Sequence, residues 1–180
     1  MLPRRTLTLV FGTALVATAS GNALAAPNPP GDIPDNQAFV TFKGAGYSLK
    51  TPEGWARTTV GVATTFTDKY NSIAVTIGRS ATAPTAASVG KLDVAKLKAT
   101  AKHFQLVKVT RVRRKAGSAI VVSYRADSAP NSVTGKVITN DVERYSFWKA
   151  GRLATLTLQG PKGSDNVDPW KLVTDSFRWS

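Results

Sequence analysis

The chain has 180 residues, 42% of them hydrophobic, which suits a single domain with its own core and excludes global disorder. It contains no cysteine, which excludes disulfide staples, thiolate catalysis, Cys-based metal sites and a lipidated cysteine anchor. A formal net charge of +13 predicts attraction to polyanions through long-range fields that salt screens.

The first 25 residues read as a secretory signal peptide. Arg4 and Arg5 form a positive start, Leu7 to Ala17 is mostly apolar, and Ala23-Leu24-Ala25 is a small-residue cleavage site, with the cut expected after Ala25. The apolar run is shorter than the roughly 20 residues a membrane span needs. The mature chain is therefore expected outside the cytoplasm, secreted or at the cell envelope. The Arg pair leaves the Sec and twin-arginine routes both open; Thr8 stands where the twin-arginine signal favours an apolar residue.

Residues 26–37 carry Pro27, Pro29, Pro30 and Pro34 with Gly31, a composition that predicts a flexible or extended lead-in. A single domain is expected over 38–180. Ala38 to Lys43 and Tyr47 to Lys50 predict a first hairpin across Gly44 to Gly46. Pro52-Glu53-Gly54 then turns the chain onto Trp55, which is expected to pack into the core. Arg57 to Val60, Thr64 to Asp68 and Ser72 to Arg79 read as a meander, with Ile73, Val75 and Ile77 on one buried face.

Ala81 to Ser88 is expected as a crossing loop, and from Leu92 the period turns helical. Val94, Leu97, Ala101 and Phe104 make one apolar stripe, with Lys91, Lys96, Lys98 and Lys102 off it. Those lysines are a solvated face or a docking surface for an anionic partner. His103, the only histidine, is expected near the helix end, where a cation suits the helix dipole.

Gln105 to Lys115 predicts a strand that leaves the core as Lys108, Arg111, Arg113, Arg114 and Lys115 take over; its apolar residues switch parity midway, as a bulge would make them do. Ser118 to Arg125 returns with Ile120, Val122 and Tyr124 on one face. Such a basic hairpin suits a polyanion, because clustered cations release its counterions. No aromatics are interleaved to stack bases, so specific nucleic-acid binding is not expected.

Lys136 to Trp148 and Arg152 to Gln159 predict the last long hairpin. Asp141, Glu143 and Tyr145 share one face. Two carboxylates at that spacing could serve acid–base chemistry or hold a hard cation, but are more simply the wet face of a strand paired with neighbouring Arg. Asp168 is a good helix cap ahead of Pro169, with Trp170, Val173 and Phe177 as the apolar stripe. Capping also explains Asp165, Asn166 and Asp168 better than a calcium loop does.

The run Tyr47-Ser-Leu-Lys-Thr-Pro-Glu-Gly-Trp55, the strand-rich middle with one early helix, and a last helix ending Asp175-Ser-Phe-Arg-Trp179 together resemble the PsbP-like superfamily. That group includes the extrinsic PsbP protein of photosystem II and exported LpqN/LpqT-type bacterial lipoproteins. The resemblance covers Phe39 to Trp179. It implies an α+β fold, an antiparallel β-sheet packed between helices in an α/β/α sandwich, and a non-enzymatic binding or assembly role. The lipobox cysteine of the LpqN/LpqT type is missing, so lipid anchoring is not implied. No residue match carries over the metal or photosystem contacts of PsbP.

The expectation is an exported, non-enzymatic accessory protein. It would capture an anionic envelope polymer or protein through Lys108, Arg111, Arg113, Arg114 and Lys115, with Lys96, Lys98 and Lys102 as a second patch. Peripheral membrane contact is compatible with the same charge. The alternative is a protein–protein module docking through its sheet or an apolar pocket. No cofactor or metal is expected. A hydrolase has little to work with: one His, no Gly-x-Ser-x-Gly elbow, and only Asp141 and Glu143 as candidate acids.

Overall fold

Residues 31–131 and 133–180 are described by the computed structural model. The predicted signal peptide and residues 26–30 lie outside them. The elements run β1 (Phe39–Gly44), β2 (Tyr47–Pro52), β3 (Ala56–Val60), β4 (Ala63–Asp68), β5 (Asn71–Arg79), α1 (Ala86–Thr100), β6 (Gln105–Arg114), β7 (Gly117–Asp127), β8 (Thr139–Lys149), β9 (Arg152–Pro161), α2 (Val167–Ser176) and β10 (Arg178–Trp179). Seven strands form one antiparallel sheet in the order β3-β4-β5-β9-β8-β7-β6, and β1-β2-β10 form a second, smaller one. The fold is α+β and dominated by antiparallel sheet.

Period-two alternation divides the large sheet into two faces. Ile73, Val75, Val121, Tyr145, Phe147, Leu156 and Leu158 point to one face and meet Tyr47 and Leu49 of the small sheet and Trp170, Val173 and Phe177 from the last helix. Ile120, Val122, Tyr124 and Val142 point to the other, where Val94, Leu97, Ala101 and Phe104 pack on them. The stripe read from the α1 sequence is thus the one that docks. Helices do not close both faces in full: the first face is covered by α2 and the small sheet together, and α1 lies over the β6–β8 part of the second. Trp55 is half-buried at the edge of the main core.

Three local expectations shift. The first helix begins at Ala86, not Leu92, because Thr85 and Ser88 form a reciprocal capping box. Its first turn is Ala-Ala-Ser, which accepts a helix but carries no apolar period. His103 lies beyond the helix end, at φ 51°, and turns to Asp127 rather than to the helix carbonyls. The last helix starts at Val167 with Asn166 in the cap position, and Asp168 sits inside the first turn, where its charge still favours the dipole. The expected bulge in β6 is present: pairing passes from Leu106–Tyr124 to Lys108–Ser123 and skips Val107.

Asn166 does not cap because its amide is engaged elsewhere. Its Oδ1 accepts from Ile33 N at 2.8 Å, and its Nδ2 donates to Gly31 O at 3.1 Å and to Asn71 Oδ1 at 3.2 Å. Asn71 Nδ2 also donates to Gly31 O at 2.9 Å. Ile33 is 3% exposed. The proline-rich lead-in, expected to be flexible or extended, is therefore held against the domain from Gly31 onward. Gly160 leaves room for this knot: a Cβ there would lie 2.5 Å from Asn71 Oδ1. Changing Asn166→Ala leaves the buried Ile33 N and Asn71 Oδ1 without a partner and should cost about 2 kcal/mol or more in denaturant unfolding. It should also speed proteolysis between Gly31 and Gln37; unchanged stability and cleavage would remove this role.

Candidate functional site

The sequence-predicted basic residues do not form one patch, because strand geometry separates them. In β6, Arg111 and Arg113 pair with Ile120 and Ser118 and share the α1 side of the sheet, whereas Lys108 and Arg114 pair with Ser123 and Gly117 and share the α2 side. Arg111, Arg113, Lys108 and Lys115 are exposed. Arg114 is not part of an open basic surface. It turns inward, its Nε donating to Thr174 Oγ1 at 2.9 Å and its Nη2 to Tyr145 Oη at 3.1 Å, with Asp175 3.9 Å away. Thr174 in turn donates to the Trp170 carbonyl at 2.9 Å, so Arg114 ties the helix to the sheet.

The lysines of α1 are all exposed. Lys91 and Lys98, seven apart, fall on one line along the helix, with Lys96 on the opposite flank, and Lys102 is exposed just past the extended C-cap Ala101. Arg144 lies on the same side of the sheet, opposite Val122. Against these cations the helix carries one acid, Asp93. Among the described residues three ion pairs lie within 4 Å, and none involves a lysine.

Arg114, Asp141, Glu143, Tyr145, Asn166, Trp170 and Lys171 line a cavity of about 260 Å³ beside the start of α2. The wet strand face expected for Asp141 and Glu143 is therefore a cleft partly covered by a helix. The expected Arg pairing is present: Asp141 Oδ1 accepts from Arg125 Nε at 2.8 Å, and its Oδ2 accepts from Gly163 N at 3.1 Å. Glu143 Oε2 accepts from Tyr145 Oη at 2.6 Å. Burial and the Glu143 carboxylate push the Tyr145 phenol up to about 12, against the pull of Arg114. Among the described residues no group of three or more His, Asp or Glu side chains is placed to hold a metal ion. No signal in the sequence announced this cleft, since its walls come from four separate segments.

Strand direction also sorts charge. The turns at 44–46, 60–62, 115–116 and 149–152 lie at one end of the sheet, with Ser80 N donating to Gly151 O and Ser180 N to Gly46 O. That end carries Arg79, Lys115, Lys149, Arg152 and Arg178 and, in those turns, no Asp or Glu. The opposite end holds Asp32, Asp35, Glu53, Asp68, Asp127, Asp165 and Asp168, interspersed with lysines.

The fold is similar to the solution structure of cyanobacterial PsbP (CyanoP) from Synechocystis sp. PCC 6803, at 19% sequence identity and a TM-score of 0.58, covering 80% of this chain and 94% of that one. Two further solved structures overlap 74% of this chain. One, from Bacteroides thetaiotaomicron VPI-5482, has 12% identity and a TM-score of 0.45 over 45% of its length. The other, the protein of unknown function PA94 from Pseudomonas aeruginosa, has 13% identity and a TM-score of 0.47 over 91% of its length. No family model and no curated protein matches the sequence.

The pKa shifts carry two testable consequences. One tyrosine should ionise near pH 12 in an ultraviolet titration and vanish from it in Tyr145→Phe. Because the fold raises this pKa, the stability it contributes is complete below the ordinary value near 10 and is lost as pH climbs toward 12. At the other extreme, the hydrogen bond from His103 holds the Asp127 carboxyl below its usual range. That contribution is present above the ordinary carboxylate pKa and is lost as pH falls through the depressed one. Carboxyl-carbon NMR of His103→Ala should show the Asp127 midpoint moving upward; no movement would refute the link.

Proposed function

From a PsbP-like fold with charges sorted by face and by end, we propose an exported, non-enzymatic accessory protein that captures an anionic polymer of the cell envelope. The observation that carries this reading is the α1 side of the sheet, where exposed lysines and Arg111 and Arg113 stand without carboxylate partners among the described residues. Lys91 to Lys98 spans about 10 Å at 1.5 Å per residue, and Lys102 continues the run beyond the helix end, which suits successive charges of a linear polymer. Arg111 adds a guanidinium to a shallow cavity of about 220 Å³ that Ser118, Ser146 and Trp148 also line. Lys98 and Lys102 thus move from second patch to centre together with Lys91; Arg111 and Arg113 stand on the same side of the sheet, and Lys96 lies on the other flank of α1. Lys108 and Lys115 serve as outlying charge, and Arg114 serves the fold. The export signature of the first 25 residues supports the location, and two helices flanking an antiparallel sheet support the α/β/α comparison with the PsbP-like group.

A second reading, assembly with a protein partner, draws on β3. It is an edge strand, all five of its residues are exposed, and its free edge could accept a partner strand. Binding through that edge would be insensitive to the α1 lysines.

Titration against polyphosphate and against teichoic acid should show affinity falling steeply with salt. The triple change Lys91→Gln, Lys98→Gln, Lys102→Gln should flatten the log–log salt slope by roughly two to three, about one counterion per lost contact. An affinity that salt and the triple variant both leave unchanged would overturn the reading.

A further inference from the structure

The charged end of the sheet carries a feature that polymer capture does not use. The turn between β3 and β4 is Val60-Gly61-Val62, and its valines are 73% and 69% exposed, the most exposed large apolar residues of the large sheet and its hairpin turns. Gly61, at φ 55°, lets the tip close in two residues, so both valines project from a rigid hairpin instead of a loose loop. Behind Val62 lies an apolar groove of about 400 Å³ between the large and small sheets, lined by Phe42, Tyr47 and Ile77 with Gly44, Ala45 and Gly61. Among the described residues no side chain fills it.

The surroundings select the occupant. Arg79 ends β5, Lys149 opens the β8–β9 turn, and Lys43 precedes the β1–β2 turn; all three are exposed and none has a carboxylate within ion-pair distance. No acidic residue lies in the turns of this end, whereas most of the acids are gathered at the opposite one. A protruding apolar tip backed by an apolar groove and ringed by cations is complementary to a surface that is anionic outside and hydrocarbon within. A soluble polymer would satisfy the cations and leave the valines in water. We propose that this end of the sheet docks on an anionic lipid bilayer, with Val60 and Val62 entering the interface, the groove behind them receiving part of an acyl chain, and Lys43, Arg79 and Lys149 resting on the headgroups.

The strands then stand on the membrane, the acidic end points away from it, and α1 faces sideways, free to hold its polymer. The docking does not depend on that polymer reading, since it uses different residues. Contact of this kind is reversible: two valines and a few headgroup contacts are far weaker than a membrane span.

The absence of cysteine makes a direct test available. A single Val62→Cys carries an environment-sensitive dye, and Thr67→Cys, toward the other end of the same hairpin, carries the control. With vesicles of phosphatidylcholine containing a minority of phosphatidylglycerol, the dye at residue 62 should shift to shorter wavelength and the dye at residue 67 should not. In vesicle flotation of the unlabelled protein, Arg79→Gln and Lys149→Gln should each weaken association roughly five-fold at low salt. Val60→Ser with Val62→Ser should weaken it roughly ten-fold with every charge kept. The triple change of the α1 lysines should weaken it much less. No shift at residue 62, or flotation unaffected by the serine pair, would overturn bilayer docking. Flotation lost mainly on changing the α1 lysines would also overturn it, and would assign the membrane contact to the polymer face.

Discussion

The molecule closes on Phe177. Its ring is fully buried, 4.9 Å from Phe147 of β8 in a stacked arrangement, 6.1 Å from Tyr47 of β2, and edge-on to Trp179 at 5.3 Å. Those contacts join the end of α2, the small sheet and the middle of the large sheet at one point. Aromatic pairs of this geometry contribute about 0.5–1.5 kcal/mol each beyond the area they bury. The Asp175–Trp179 ending and the Tyr47–Trp55 opening, far apart in sequence, are the two sides of this contact. A second aromatic contact, Phe42 of β1 edge-on to Phe66 of β4 at 5.1 Å, holds the other end of the small sheet on the large one.

The same constraint sets what the rest of the surface can do. With one face of β7 and β8 committed to the Phe177 core and the other to α1, every charged residue in the outer strand must take whichever face its register gives it. Arg114 falls on the α2 side and becomes an internal tie between Thr174 and Tyr145. Arg111 and Arg113 fall on the α1 side and join the helix lysines. β6 is an edge strand, so its cations also discourage pairing with another chain, and part of the basic hairpin answers that need. The α1 lysines have no such structural task.

Charge segregation along the strands gives the protein an axis. One end is cationic with an apolar tip, the other rich in carboxylates, and α1 runs along the side. That layout is what lets the proposed surface contact at one end and the proposed polymer contact at the flank use different residues. The cleft beside α2 fits neither role. Its carboxylates are engaged with Arg125, Gly163 N and Tyr145, and its guanidinium holds the helix.

The sequence by itself determined the nine longer strands, the β6 bulge, the α1 stripe and the PsbP-like opening and ending, though not the short β10 at Arg178–Trp179. Each of these is written in local periodicity or in a short motif, because side-chain alternation along one segment is a property of that segment alone. It also carried the surplus of cations, which is composition. Only the tertiary structure decided where those cations stand. Neighbouring arginines on one strand face opposite ways, a glutamate read as solvent-facing lies beside a helix from the far end of the chain, and Asn166 leaves its cap to hold Gly31 and Ile33. The apolar groove behind Val62 was likewise invisible, since its walls come from the β1–β2 hairpin, the β3–β4 hairpin and β5. Such placements depend on which segments meet across the fold, and contact between distant segments leaves no period in either of them.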